Sequence, residues 1–245
     1  QEIRNMILIY PELEKEILPP LRRAIITVNT FEPKKTDDEI ANLSTTDPSK
    51  LTLNELLYAA TLTNDLKTKQ MIYASTMNLH PKCMRAVLNA SEVEINLGNS
   101  AEAKTLLEKA LTMSDKSAAV YNNLAVVNIM QRDFKSAEAN LNKAKQLGAN
   151  VDYNNGVVNI FKGDYSKAVS QMAGEKCDYN LALAQLLNKE YDAAKTTLNC
   201  GADDAKTSYL KAILGARTGN NAEVYSSLMK AIQKDSSYKA TAKND

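Results

Sequence analysis

Between residues 50 and 235, apolar and small residues recur at helical spacing around six short polar turns: TNDLKTK, LGNSAEA, QRDFKSA, KGDYSKA, NKEYDAA and TGNNAEV. Each turn is anchored by one polar residue, Asp65, Asn99, Asp133, Asp164, Glu190 and Asn220, at spacings of 34, 34, 31, 26 and 30. Four residues after the anchors stand Lys69, Ala103, Ala137, Ala168, Ala194 and Val224, and eight after them stand Tyr73, Leu107, Leu141, Met172, Leu198 and Leu228. A small residue followed one turn later by a large apolar one makes a stripe that packs closely on a neighbouring helix. Eight residues before the anchors come Leu57, Ser91, Ala125, Gly156, Ala182 and Ala212, mostly small, where a first helix must admit a second. Gly98, Gly163 and Gly219 directly precede three anchors; a residue able to take positive φ ends one helix there, and the following Asn or Asp caps the next. The pattern predicts six units of helix, tight turn, helix. A pair this short cannot bury its apolar face alone, but six in series build one continuous core.

These turns, their spacing and the stretches LGNSAEAKTLLEKAL and YNNLAVVNIMQRDFKSAEANLNKA resemble the tetratricopeptide repeat. The resemblance implies an all-α, right-handed superhelical solenoid of about six helix pairs. Lys69 replaces a small residue, Asn155 and Lys211 stand where earlier repeats have Ala90 and Leu124, and the fourth and fifth units have shortened second helices. Pro81 closes the first repeat, Gly174 and Gly201 end the short helices, and residues 236–245 read as a polar cap or tail.

The first 49 residues do not fit the repeat. Residues 1–18 show helical spacing interrupted by Pro11, and residues 21–30 hold Ile25, Ile26 and Val28 in a β-branched cluster that reads as a strand. A lone strand needs a partner outside this chain or in a second copy of it, so residues 1–30 read as a remnant of an upstream domain, with self-association through residues 21–30 as the alternative. Gln1 in place of an initiator likewise predicts a piece of a longer chain. Residues 31–49 read as a linker with one short helix, because TDDE from Thr36 and TLNE from Thr52 are capping boxes. The runs EIRNM, ILPPLRRAIITVN, DDEIA, LTLNELLYAATL and KAILGARTGN resemble the C-terminal region of Bacteroidetes envelope proteins of the outer membrane protein A type. That resemblance implies a periplasmic location at the outer membrane, with any peptidoglycan-contacting residues lying upstream.

Composition narrows the chemistry. Thirty Lys plus Arg against 29 Asp plus Glu give a net charge of +1, too weak a field to gather nucleic acid. His80 is the single histidine, which excludes multi-histidine metal sites and proton relays. No apolar run reaches the roughly 20 residues of a membrane helix. There is no phosphate loop, dinucleotide fingerprint or nucleophile elbow, so neither catalysis nor a cofactor nor a metal is expected. Cys83, Cys177 and Cys200 match no zinc spacing. An oxidising compartment would let Cys177 join Cys200, but the reading favours free, partly buried thiols.

The most specific signal outside the core lies ten residues before the anchors, where Asn89, Asn123, Asn154 and Asn180 recur in four consecutive units. One residue earlier stand Asn122, Tyr153, Tyr179 and Tyr209. Asn is a mediocre helix former, and its carboxamide both donates and accepts, which suits the alternating groups of an extended peptide backbone. By resemblance to peptide-binding members of the family, including a glycosyltransferase with an asparagine ladder, these rows face the concave groove. The expected function is a non-catalytic scaffold that binds a protein or peptide through an Asn/Tyr-lined groove. One alternative is that the rows brace adjacent helices within a spacer or oligomerisation module attached to an envelope anchor. A more distant alternative is a binder of glycans or peptidoglycan fragments.

Overall fold

In the computed structural model, residues 34–244 and, upstream, Lys15 are described; the expected strand at 21–30 lies outside these residues. The described elements are all helical, and they belong to one compact unit, Asp37–Asp245. An opening helix α1 (Asp37–Thr46) leads through a short 3-10 turn to α2 (Leu53–Ala59) and α3 (Leu66–Leu79). There follow α4 (Met84–Asn96), α5 (Ser100–Met113), α6 (Ala118–Met130), α7 (Phe134–Gln146), α8 (Asp152–Lys162) and α9 (Tyr165–Gln171). The array ends with α10 (Tyr179–Leu187), α11 (Tyr191–Cys200), α12 (Ala205–Arg217), α13 (Asn221–Lys234) and the terminal α14 (Tyr238–Asn244). From α2 to α13 the helices form six pairs, units 1 to 6, and each helix packs on the next.

All six sequence anchors are N-cap residues of second helices. The side chains of Asp65, Asp133, Asp164 and Asn220 accept from the backbone N–H three residues on. In units 2 to 6 the anchor's own N–H also reaches back five residues, as in Asn99 to the Glu94 carbonyl (2.9 Å) and Asp133 to the Asn128 carbonyl (2.9 Å). The residue before it donates to the carbonyl three back, so each first helix ends in a Schellman motif. The anchor therefore closes one helix and opens the next. Hydrogen bonds from the side chains of Thr68 and Ser136 hold the Asp65 and Asp133 carboxyls below the usual carboxylate range. These caps favour the fold while ionised, and that contribution is lost as falling pH protonates them.

The Schellman motif needs a left-handed residue before the anchor, and Gly98, Gly163 and Gly219 supply it with φ of 82°, 82° and 71°. In units 3 and 5 the same place is held by Arg132 (φ 58°) and Lys189 (φ 65°), which carry a Cβ into a region that disfavours one. Arg132→Gly and Lys189→Gly should each raise stability by about 0.5–1 kcal/mol, despite glycine's unfolded-state entropy, as read from urea denaturation midpoints. A loss at either site would show that the long side chain makes a compensating contact.

The small and large companions of the anchors form the core. Ala103, Ala137, Ala168 and Ala194 are fully buried, and so are Leu107 and Leu141, with Met172 and Leu198 at most 2% exposed. Gly156 marks a close approach within unit 4: a Cβ there would lie 2.8 Å from the Met172 side chain and 3.3 Å from the Ala168 carbonyl oxygen. At the start of the array, the segment expected to be a linker carries α1, whose Ile40 is buried with Leu51, Leu56 and Ile72. The Thr52 capping box forms as expected.

Cys177 and Cys200 form a disulfide with Cα atoms 5.0 Å apart, so the expectation of free thiols at these two positions is corrected. The shortened α9 explains the pairing. It stops at Gln171, and the chain turns back early enough to set Cys177 beside the end of α11, a proximity that sequence spacing does not reveal. Cys83 remains a free, partly buried thiol.

Candidate protein-interaction surface

The first helices of successive units carry the Asn and Tyr rows, and the structure links several of their members across unit boundaries. Asn154 on α8 donates through Nδ2 to the Asn122 Oδ1 on α6 at 2.9 Å. Asn122 in turn donates weakly to the Asn123 Oδ1 at 3.5 Å. Asn180 on α10 donates to the Tyr153 hydroxyl at 2.8 Å, and that hydroxyl donates to the Asp178 carboxylate, the N-cap of α10, at 3.0 Å. Burial pushes the Tyr153 hydroxyl above its ordinary pKa, so it remains a donor throughout the neutral range. Tyr179 lies beneath the Lys206 ammonium, 5.2 Å from the ring centre, and Tyr209 packs on Tyr238 of α14 with ring centres 4.9 Å apart. Asn89 donates to the Tyr73 hydroxyl of α3 at 3.3 Å instead of to another first helix, and Asn123 accepts from its neighbour on α6.

The residue eleven before each anchor thus touches the start of the following unit in units 3 to 5, and the terminal helix α14 in unit 6. This bracing does not exhaust the amides. Among the described residues, the carboxamide oxygens of Asn89, Asn154 and Asn180 accept no hydrogen bond, and the Asn123 Nδ2 donates none. No buried side-chain nitrogen or oxygen among the described residues lacks a partner, so these unused valences are not sealed from solvent. Asn89, Asn154 and Asn180 therefore combine a bracing contact with an open acceptor, and Asn123 keeps an open donor.

The sequence reading missed an apolar component on these helices. Seven residues before the anchors stand Val126, Val157, Leu183 and Ile213, all half-buried, and three before them stand Met130, Phe161 and Leu187. These offsets follow the asparagines by one and two helical turns and share their face. At the C-terminal end the sharing is direct: Leu183, Leu187, Ile213 and Tyr209 line one cavity of about 600 Å³, closed on one side by Ala242 of α14. Phe161 is 51% exposed and stacks on Phe134, with ring centres 5.0 Å apart. The constant offsets were visible in sequence, but apolar residues at helical spacing read by default as core.

A second polar row was also missed, and it is internal. Asn128, Asn159 and Gln185, five before their anchors, bond Asn140 (2.8 Å), Gln171 (2.6 Å) and Thr197 (2.9 Å) on the second helix of their own units. Glu94 holds the equivalent place in unit 2 and accepts from Gln70 (2.6 Å) and Asn99 (2.8 Å). Apart from Glu94–Gln70, which joins units 1 and 2, this row braces each unit internally without using the outer asparagines.

Other candidates resolve as structural. His80 is the C-cap of α3, Asp204 the N-cap of α12, and Asp203 pairs with Lys234. Among the described residues no group of His, Cys, Asp and Glu could hold a metal ion, and no helix is long and apolar enough to cross a membrane.

No family model and no curated protein sequence matches the chain. Solved structures do. The fold superimposes on a subunit of the APC/C hetero-tetramer Cut9–Hcn1 with a TM-score of 0.71 at 15% identity over 81% of this chain. A tetratricopeptide repeat protein from Parabacteroides merdae matches with a TM-score of 0.64 at 12% identity, over 83% of this chain and 88% of that one. The chain has the tetratricopeptide-repeat fold. It spans 44% of the length of the Cut9–Hcn1 chain it matches. PilW, a type IV pilus biogenesis factor, has the same tetratricopeptide-repeat architecture, with a TM-score of 0.57 at 16% identity over 82% of this chain and 95% of that one.

Proposed function

We propose that this tetratricopeptide-repeat chain is a non-catalytic scaffold whose first-helix face holds an extended peptide segment of a partner protein. The observation that carries the reading is the open half of each asparagine. A donor or acceptor left on Asn89, Asn123, Asn154 and Asn180, above the apolar row Val126, Val157, Leu183 and Ile213, offers hydrogen bonds to a backbone and a floor for its apolar side chains. The half-buried Tyr153, Tyr179 and Tyr209 add large contact area at low entropic cost. A periplasmic, outer-membrane-associated location is part of the same reading. It is supported by the sequence resemblance, by the Cys177–Cys200 disulfide, which suits an oxidising compartment, and by the match to a pilus biogenesis factor.

The inter-unit bonds Asn154–Asn122 and Asn180–Tyr153 favour a second reading, a rigid spacer in which the rows serve only the array. The two readings part under substitution. Peptides selected from a random displayed library against the full chain supply a defined ligand. On the scaffold reading, Asn123→Ala with Asn154→Ala weakens such a peptide by about fivefold or more, because each lost hydrogen bond is worth about 0.5–1.5 kcal/mol, and the melting temperature falls only modestly, through loss of the Asn154–Asn122 brace. Unchanged affinity with a sharply lower melting temperature establishes the spacer instead.

A further inference from the structure

Nine residues before the anchors, units 1, 2, 3 and 5 place Leu56, Ala90, Leu124 and Leu181, all buried, whereas units 4 and 6 place Asn155 and Lys211. These positions wall grooves between the second helix of one unit and the helices of the next: about 360 Å³ beside Asn155, about 480 Å³ beside Leu181 and about 300 Å³ beside Lys211. Groove polarity follows that residue. A unit that needed only packing would carry leucine there, as units 1, 3 and 5 do, and Lys211 is half-buried at that place. Lys211 has no ion-pair partner among the described residues, and Asp203, within its electrostatic reach, is already engaged by Lys234.

The same groove between units 5 and 6 is lined by Lys195, Asp192 and Glu223, none of them in an ion pair among the described residues; the Glu223 carboxylate accepts from the Ser227 hydroxyl at 2.7 Å. Two cations and two anions therefore line one small groove, with Tyr191 and Leu214 supplying apolar wall. A ligand carrying both charges engages the two cations and the two anions at once, whereas a purely anionic or cationic one meets like charge on half of the charged lining.

We propose that this groove binds a small zwitterion with an apolar side chain, a free amino acid of the leucine or phenylalanine type. Lys211 and Lys195 hold its carboxylate, Asp192 and Glu223 its ammonium, and Tyr191 and Leu214 its side chain. The volume, at the small end for ligand sites, admits one amino acid and excludes a long peptide. The site is separate from the first-helix peptide surface and does not depend on it.

Calorimetric titration of the full chain with L-phenylalanine, L-leucine, N-acetyl-L-phenylalanine and L-phenylalaninamide tests the assignment. At least one of the two zwitterions should bind with a Kd below about 1 mM, and the two capped compounds, each lacking one charge, about tenfold or more weaker than L-phenylalanine. Lys211→Leu, which restores the residue of units 3 and 5, should abolish binding while raising the melting temperature, and exposed Lys195→Gln should weaken binding without changing the fold. The proposal is overturned if neither zwitterion binds at about 10 mM, if Lys211→Leu binds normally, or if that variant melts lower than the parent, which would make Lys211 a packing residue.

Discussion

Leu141→Ala should lower the unfolding free energy by about 2–5 kcal/mol, the range for removing a fully buried leucine that its surroundings cannot replace. Leu141 stands eight residues after the Asp133 anchor, has no exposed surface, and sits among Ala125, Ala137, Ala144, Val151 and Val158. Those neighbours are small or β-branched and belong to helices held on both sides, so the cavity has little to collapse into it. Stability in a stacked array is close to a sum of unit and nearest-neighbour contributions. The loss at unit 3 should therefore also uncouple units 1 and 2 from units 4 to 6, broadening the urea transition or splitting it in two. A loss under about 1 kcal/mol with an unchanged transition would mean that the unit 3 core is not packed as described.

Reduction of the Cys177–Cys200 disulfide should cost about 3 kcal/mol, the amount expected for a link across 23 residues of sequence. The link compensates for missing helix. The second helix α9 has seven residues where α7 has thirteen, and the disulfide ties the early turn after α9 to the end of α11. Melting curves with and without a phosphine reductant measure the effect. The double variant Cys177→Ser, Cys200→Ser should melt near the reduced protein and ignore the reductant. A parent chain insensitive to reductant would show that the thiols are not joined in solution.

What the sequence made legible was local. An anchor, the residue before it and the cap it provides lie within four positions, so Gly98, Gly163 and Gly219 with their following Asn or Asp announced the turns directly. Arg132 and Lys189 take the same left-handed conformation without advertising it, because nothing about an arginine or lysine signals positive φ. The core stripe was readable for the same reason, since its members share one helix. Contacts between units were not readable. Asn154 meets Asn122 from 32 residues away and Asn180 meets Tyr153 from 27, and the repeat length alone does not say which side chains meet across that gap. The docking of α1 through Ile40 and the disulfide likewise depend on how far the chain turns between elements, which composition does not encode. The Asn and Tyr rows were legible as rows, whereas their division into a bracing half and an open half is a matter of geometry.

The side-chain amide resonances of Asn123, Asn154 and Asn180, followed by nitrogen–proton correlation spectra while a library-selected peptide is titrated in, test the peptide-surface reading most directly. The account predicts that these resonances shift together and saturate at one Kd, along with backbone amides of α6, α8 and α10. Shifts confined to the second helices α7, α9 and α11, with all three side-chain amides unmoved at saturation, would contradict it.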